Sequence, residues 1–288
     1  MAADKKVLLA VLAHPDDETF GTGGTLAYYA AHGVEVHLVC ATRGEAGDVD
    51  DDCLEGYKDI AQLREHELQC ASRYLGLTGV HFMDYRDSGM AGSPDNHHPQ
   101  ALVAADLEEV TAKVVKFIRE IKPQVVITFD PIGGYMHPDH IAIQRAAVKA
   151  FHAAGDADLY PVKGLPAYRP QKLYLHTFPR GFLKMALFFL RLTGKDPHKF
   201  GKNGDIDLVP IAQADFPTHA KIDYRAVLEK KDLASACHAS QGGARLTSGF
   251  MLTLRKIFGI SDRYMRAYPT PGKKVERDLF EGIEEEVI

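Results

Sequence analysis

"VLLAVLAHPDDETFGTGG", residues 7–24, joins an apolar run to a histidine and three acidic side chains and ends in a cluster of glycines. A short continuous apolar run bounded by polar residues is typical of a strand that is covered on both faces of a sheet. The polar cluster would then lie at the carboxyl end of that strand, where open α/β sheets bind their ligands. This stretch therefore predicts the fold class and the place of a binding site together.

The rest of the chain alternates between strand-like and helix-like segments. Four more short runs rich in Val, Leu, Ile and aromatic residues predict strands at 35–42, 80–85, 125–130 and 172–178. Helical patterns lie between them at about 22–32, 57–75, 101–121 and 139–153. Such alternation indicates right-handed βαβ units, so we expect an α/β fold with a mainly parallel sheet sandwiched by helices.

The composition is that of an ordinary globular protein. Of its 288 residues, 45% are hydrophobic and 25% are charged. Lys and Arg number 34 against 39 Asp and Glu, which gives a formal net charge of -5, and the sequence contains no basic block that could follow a phosphate backbone. We therefore expect no nucleic-acid partner.

Residues 182–192 form an apolar segment flanked by basic residues. As a helix this segment would span roughly 17 Å, which is too short to cross a bilayer. A lid over the substrate, a subunit interface and a helix packed on the core stay open as alternatives, and an interfacial membrane helix is the least favoured one, so a membrane partner is not expected. At the other end of the chain, Asp16 and Asp17 follow the first apolar run too soon for a secretory signal, so we expect a cytoplasmic protein.

The four cysteines are Cys40, Cys53, Cys70 and Cys237. None of them shows the C-x-x-C spacing of a thiolate zinc site, and the spacing does not suggest a disulfide framework. We therefore expect four free thiols.

A second His-Pro-Asp motif follows the fourth predicted strand, within "FDPIGGYMHPDHI" at residues 129–141. If the first and fourth strands are neighbours, three side chains converge at the edge of the sheet, namely His14, Asp17 and His140. Asp16 and His137 then lie beside them. Two imidazoles and one carboxylate with an open fourth position are the usual ligands of catalytic zinc, although the same set also holds Fe(II).

Asp16 and His137 could supply the acid–base chemistry of such a site. A bound zinc ion lowers the pKa of its water to roughly 7 and polarises a carbonyl group. Asp16 is too close in sequence to Asp17 for both to bind one ion easily, so it is free to take the proton as a general base. A protonated His137 would donate to the developing oxyanion or to the departing nitrogen. These groups thus suit a metal-dependent hydrolase, and an amide is one substrate on which they could act.

Two pairs of motifs carry a family resemblance. "AHPDDE" at 13–18 together with "HPDH" at 137–140 resembles the N-acetylglucosaminyl-phosphatidylinositol deacetylase family, also called LmbE-like, of zinc-dependent N-deacetylases. "YRDSGM" at 85–90 and the segment 129–141 are similar to the mycothiol branch, which comprises a biosynthetic deacetylase and an S-conjugate amidase. The overlap covers roughly residues 5–178, with a weaker "HASQ" further along the chain.

The resemblance implies a Rossmann-like fold and a role for each of several residues. The three converging side chains named above would be the zinc ligands, and Asp16 would be the general base. His137 would stabilise the tetrahedral oxyanion or protonate the leaving amine, with Tyr135 also near the carbonyl oxygen. Arg64 and Asp87 would bind the sugar or its polyol partner. From the residues alone, Arg64 is equally well a solvated helix charge and Asp87 a turn former, so these alternatives stay open.

We therefore predict a zinc-dependent hydrolase that removes an acetyl or similar acyl group from the amine of an N-acetylglucosamine-type sugar, a small-molecule substrate. An amidase acting on a thiol S-conjugate is the main alternative, because it would use the same site. A non-catalytic sugar- or metal-binding module is the other, although such a module needs no general base. We expect residues 1–178 to form the metal-binding catalytic core and residues 179–288 a C-terminal extension that shapes or covers the pocket. The oligomeric state stays open, a closed homo-oligomer included.

Overall fold

A single seven-stranded sheet organises the part of the chain that the computed structural model describes, which is residues 5–178, 180–194, 196–199, 204, 206–243 and 260–284. Its strands are β1 (Val7–Leu12), β2 (Glu35–Cys40), β3 (Gly79–Phe82), β4 (Val125–Phe129), β5 (Lys172–Thr177), β6 (Ala220–Asp223) and β7 (Ser261–Tyr268). The helices of the described residues are α1 (Asp17–Phe20), α2 (Gly23–Ala31), α3 (Ile60–Leu75), α4 (Leu107–Ile121), α5 (Gly133–Met136), α6 (Pro138–Ala153), α7 (Arg180–Leu192), α8 (Leu208–Gln213) and α9 (Leu228–Cys237).

The strand order is β3-β2-β1-β4-β5-β7-β6. Strands β1 to β5 pair in parallel, whereas β7 runs antiparallel to both β5 and β6. The predicted α/β fold with a Rossmann-like, mainly parallel sheet is therefore confirmed. The five predicted strands and the four predicted helices are all present, with ends that differ by a few residues.

Strands β6 and β7 come from the chain beyond residue 178 and were not predicted. β6 has only four residues, and β7, "SDRYMRAY", carries three charged side chains and is partly exposed, so neither has the apolar run of a covered strand. The sheet thus continues across the boundary that the sequence suggested. The part that residues 179–288 play at the pocket stays a prediction.

Helices bury the central strands, and α4 shows how the sequence achieves this. All residues of β1, β4 and β5 are buried. Val110, Val114 and Ile118 of α4 recur at four-residue steps on one helix face and are buried against the core. Burying each such side chain stabilises the fold by roughly 1.5–3 kcal/mol. Asp106 begins the helix by accepting a hydrogen bond from the backbone N–H of Glu108.

Strands β1 and β4 are neighbours, although β2 and β3 lie between them in the sequence. Leu8 pairs with Val125 and Ala10 with Ile127. The order of the strands therefore reverses at β1, and the carboxyl edge at such a switch point is where open α/β sheets bind ligands. The condition for the two His-Pro-Asp motifs to meet is fulfilled.

The expectation of four free thiols is wrong for two of the cysteines. Cys70 in α3 and Cys237 at the end of α9 form a disulfide with a Cα–Cα distance of 5.8 Å, whereas Cys40 and Cys53 are free. Helices α3 and α9 pack against each other and bring together two residues that are 167 positions apart. Because this proximity arises from tertiary packing, the local spacing of the cysteines gave no sign of it.

Helix α7 contains the apolar segment that the sequence singled out. Phe188, Phe189 and Leu192 are 59%, 56% and 66% exposed. Within the described ranges, no helix combines the length and the apolar character needed to cross a membrane. Part of the segment that follows α7 lies outside the described residues, namely 195, 200–203 and 205. The three interpretations of this segment, as a lid, a subunit interface or a helix packed on the core, therefore stay open.

Candidate active site

Two loops at the carboxyl edge of the sheet hold the candidate site residues. The first loop leads from β1 into α1, and the second from β4 into α6. In the second loop, the carboxylate of Asp130 accepts hydrogen bonds from the backbone N–H groups of Ile132 and Gly134 and so fixes the turn. Gly133 has a φ of 66°, and a Cβ there would lie 2.8 Å from the Cβ of His140. A glycine is therefore required for the first turn of α6 to approach this closely.

His14, Asp17 and His140 converge as predicted. His14 Nδ1 lies 3.1 Å from His140 Nε2 and 3.5 Å from Asp17 Oδ2, and His140 Nε2 lies 3.3 Å from Asp17 Oδ1. A tetrahedral zinc ion with ligands at 2.0–2.1 Å holds its ligand atoms roughly 3.3 Å apart. The three side chains thus fit a small divalent cation.

The other nitrogen of His14 is held by carboxylates. His14 Nε2 lies 3.2 Å from Asp139 Oδ2 and 3.4 Å from Asp87 Oδ1. A proton on Nε2 leaves the lone pair of Nδ1 free for a cation, and a metal-binding histidine usually donates its other N–H to a carboxylate in this way. Asp139 is fully buried, and its Oδ2 also accepts a hydrogen bond from the Ser88 N–H, whereas its Oδ1 has no hydrogen-bond partner among the described residues. Asp139 stands within the second His-Pro-Asp motif, but the sequence indicated no role for it.

Two overlapping groups also bring possible ligand atoms within 4.8 Å of one another. One group adds His137 to His14 and His140, and the other combines His14 with Asp87 and Asp139. We favour the set with Asp17, because the carboxylates of the second group face the Nε2 atom of His14 and already accept from it. The pKa of Asp17 supports this choice. Burial raises that pKa, but His140 and His14 bring it well below its ordinary value, so the carboxylate is ionised.

Asp16 adopts a strained backbone conformation that its neighbours hold in place. Its φ is 121°, which a residue with a side chain rarely adopts. Its N–H donates to Glu18 Oε2 at 2.9 Å, and its Oδ2 accepts from Arg64 Nη2 at 2.8 Å. Burial raises the pKa of Asp16 to about 6, although Arg64 acts to lower it. A carboxylate with a pKa near neutrality suits a general base.

Arg64 lies directly behind Asp16. Its side chain is buried, and besides Asp16 it donates to the carbonyl oxygens of Pro15 at 2.5 Å and Gly44 at 3.1 Å. It is therefore not a solvated helix charge. Its predicted contact with the sugar stays a prediction, whereas its contact with Asp16 is present in the structure.

Asp87 is buried and has two sets of contacts. Its Oδ1 accepts from the Gly89 N–H at 2.8 Å, as a turn former does, and the same atom faces His14 Nε2. Burial raises the pKa of Asp87, but His14 and the Gly89 N–H bring it well below its ordinary value. The turn and the contact with His14 are present together, and a contact with substrate stays a prediction.

His137 and Tyr135 lie beside the converging ligands. The ring of His137 is 4.6 Å from that of His14, and the ring of Tyr135 is 5.0 Å from that of His140. His137 Nδ1 accepts from the Asp139 N–H, so in the neutral ring Nε2 carries the proton. Burial and the neighbouring histidines lower the pKa of His137 to about 2. The resting His137 is therefore a neutral hydrogen-bond donor, which differs from the protonated donor suggested by the sequence.

The chain beyond residue 178 also reaches the site through His238. His238 and Glu18 are both fully buried, and His238 Nε2 donates to Glu18 Oε1 at 2.7 Å. Glu18 is the residue that accepts the N–H of Asp16. The sequence analysis gave no role to either residue. The "HASQ" motif was the available signal for His238, but its partner is 220 positions away.

Two cavities open beside these residues. The larger has a volume of about 360 Å³ and the smaller about 170 Å³. Asp16 and Tyr135 line both cavities. His14, Arg64, Asp87 and His137 line the larger one, which is mainly polar.

Known proteins resemble this chain over most of its length. Residues 9–151 match the family model described as GlcNAc-PI de-N-acetylase, PIG-L. The 1D-myo-inositol 2-acetamido-2-deoxy-alpha-D-glucopyranoside deacetylase of Acidothermus cellulolyticus is 38% identical over 96% of this chain and 95% of that protein. The Streptomyces avermitilis protein of the same name is 36% identical over 97% of this chain and 98% of that protein. The similarity thus extends well beyond residue 178.

The fold is also found among solved structures. N,N'-diacetylchitobiose deacetylase from Pyrococcus horikoshii superposes with a TM-score of 0.63 at 22% identity. The match covers 99% of this chain and 88% of that one. This likeness concerns the arrangement of strands and helices.

Proposed function

This chain belongs to the GlcNAc-PI de-N-acetylase family, PIG-L or LmbE-like, and from that membership we propose that it is a metal-dependent N-deacetylase of amino sugars. Its curated relatives are named for an inositol glycoside of 2-acetamido-2-deoxyglucose, which agrees with the mycothiol branch that the motifs predicted. We therefore take an N-acetylglucosaminide of a polyol as the substrate class. The observation that carries the proposal is the convergence of His14, Asp17 and His140 within 3.1–3.5 Å, with Asp16 beside them.

These three residues would hold the cation. Zinc is the proposed ion, and Fe(II) is the other ion that suits two imidazoles and one carboxylate. Such an ion supplies Lewis-acid activation of water and of the amide carbonyl. Asp139 and Asp87 orient His14 through its Nε2 atom, so that Nδ1 faces the other two ligands.

The chain's own residues would move the protons of the reaction. Asp16 accepts the proton of the attacking water, a contribution of typically about 10²–10⁴ in rate. His137 donates its Nε2–H to the carbonyl oxygen as negative charge develops there, and a donor of this kind is worth about 10²–10³. Burial and the charge of Asp17 raise the pKa of Tyr135, so its hydroxyl keeps its proton and can donate as well. Asp16 then returns its proton to the departing amine, which completes hydrolysis to acetate and free amino sugar.

The polar cavity would hold the sugar and its polyol. Asp87 and Arg64 line this cavity and are the proposed substrate-binding residues. Arg64 also keeps Asp16 in place. A change in kcat would report this effect on the general base, whereas a change in KM would report contact with the substrate.

Release of free amine tests the proposal. We expect metal-replete protein to release amine and acetate from N-acetylglucosamine and from its inositol glycoside, to lose activity with a chelator and to regain it with zinc. Asp16→Asn should abolish most of the activity, whereas Asp223→Asn at an exposed ion pair should leave it unchanged. Absence of amine release from every N-acyl amino sugar would refute the proposal. A preference of more than about tenfold for a thiol S-conjugate would instead identify the amidase, which uses the same site.

A further inference from the structure

The two cavities differ in character and meet at the candidate catalytic residues. The larger cavity is lined mainly by polar and charged side chains. The smaller is largely apolar, and its aromatic walls are Phe20, Phe129 and Phe178. Because Asp16 and Tyr135 line both, the reacting amide must lie at the junction between the cavities.

Among the residues that line the apolar cavity, charge is confined to Asp16 and the proposed metal ligands. Phe129 stacks on the ring of His140 with centroids 4.0 Å apart. His176 also lines the cavity and packs against Phe178. Burial, and then the charge of Lys231, lower the pKa of His176 to about 4, so this imidazole is neutral near pH 7. The cavity is therefore suited to a hydrocarbon group.

An N-acyl amino sugar has two arms that can be matched to these cavities. If its hydroxyl groups enter an apolar cavity, they lose their hydrogen bonds to water. The largely apolar walls replace few of those bonds, so this placement is unfavourable. The sugar therefore occupies the polar cavity, and the acyl group points into the apolar one. This orientation places the amide carbon beside Asp16.

The apolar cavity is larger than an acetyl group needs. Its volume is about 170 Å³, whereas a group of the size of water, close to that of a methyl group, takes up about 30 Å³ in a liquid. Building on the proposed N-deacetylase function, we propose that the enzyme also hydrolyses N-acyl amino sugars with linear acyl chains of about four to six carbons. The apolar cavity is thus the acyl-specificity pocket. Each added methylene should raise kcat/KM by up to about fourfold until the cavity is full, the equivalent of about 0.8 kcal/mol.

A chain-length series tests this inference. The N-acetyl, N-propionyl, N-butyryl, N-hexanoyl and N-decanoyl derivatives of glucosamine are compared by kcat/KM for amine release. We expect kcat/KM to rise from acetyl to butyryl or hexanoyl and to fall at decanoyl. A decrease at every added carbon, with acetyl still hydrolysed, would overturn the acyl-pocket inference alone. Absence of activity on the whole series, acetyl included, would instead refute the proposed function.

Phe178→Trp supplies a second, independent test. Phe178 is 44% exposed at the rim of the apolar cavity, so a larger ring can be placed there without disturbing the core. We expect the butyryl-to-acetyl ratio of kcat/KM to fall at least threefold, with the acetyl activity as an internal measure of folding. Tyr74→Trp, at an equally exposed aromatic position of α3 that lines neither cavity, is the matched control and should leave the ratio unchanged. An unchanged ratio in Phe178→Trp would overturn the inference.

Discussion

Replacing Arg64 by methionine tests whether this residue holds the general base. The substitution keeps an unbranched apolar stem but removes the guanidinium group and its bonds to Asp16, Pro15 and Gly44. Breaking a buried ion pair by removing one partner costs about 3–5 kcal/mol, because the other charge is left unpaired. The side chain of Asp16 keeps 17% exposure, so we expect a loss at the lower end, about 3 kcal/mol, in the free energy of unfolding by urea.

The same variant should change turnover more than affinity. Without Arg64, the strained backbone of Asp16 loses one of the contacts that hold it, and a misplacement of about 1 Å can cost on the order of 10² in rate. We therefore expect kcat to fall by about that factor, whereas KM for the N-acetyl sugar should rise much less, through loss of the proposed contact with the substrate. Arg64→Lys keeps the charge but not the planar fork, so its kcat should be intermediate. Arg225→Met, at an exposed pair with Asp223, is the control that should change neither quantity.

Two results would contradict this interpretation of Arg64. A rise in KM at constant kcat would show that its main contact is with the sugar, as the family resemblance implies. Unchanged stability would show that Asp16 does not depend on the guanidinium group. Steady-state kinetics and urea unfolding of the same preparations separate these outcomes.

Three further predictions concern the carboxylate that orients His14, the pH dependence and the disulfide. Asp139→Ala should weaken metal binding by about 10–100-fold in a competition titration with a chelator, because His14 loses its main orienting contact, and an unchanged affinity would contradict this. Burial lowers the pKa of both His37 and His81 in the folded protein. Below the ordinary histidine pKa near 6.5, the unfolded chain therefore binds more protons than the folded one. We expect the stability of the fold to decrease as the pH drops through that value. His81→Gln should flatten the slope of unfolding free energy between pH 7 and 5, and an unaltered slope would rule out this origin. Cys70→Ser should lower the free energy of unfolding by about 2–5 kcal/mol relative to the oxidised wild type, and a reductant should no longer change it. If a reductant leaves the stability of the wild type unchanged, the disulfide to Cys237 is contradicted.

Much of the fold and of the metal site could be predicted because the signals are local. Each of the first five strands is a short segment rich in apolar residues that pairs with a neighbouring strand of the sheet. His14 and Asp17 stand two and five residues after the end of β1, and His140 stands eleven residues after the end of β4, so placing the strands also places the ligands at one edge of the sheet. Strand β7 was missed because its charged, partly exposed sequence lacks that run.

The supporting contacts of the site could not be predicted, because they join distant parts of the chain. Glu18 and His238 are 220 positions apart, and each alone resembles an ordinary polar residue at a helix end. Arg64 was assigned to the substrate from its motif, but only the packing of α3 against the first loop reveals its bond to Asp16. Asp139 was overlooked although it lies in a recognised motif, because sequence does not show which way a side chain faces.

The position of β7 between β5 and β6 bears on how the protein is made. While the ribosome is still adding the residues after Thr177, the edge of β5 that later pairs with β7 has no partner strand. β6 is also made before β7, which is the strand that joins it to the sheet. At 5–20 residues per second this interval lasts on the order of ten seconds, and an open strand edge is prone to pair with other chains during that time. A nascent chain of this protein therefore depends on being shielded until Ser261–Tyr268 has left the exit tunnel, and stalled translation in this interval should yield aggregates rather than a shortened enzyme.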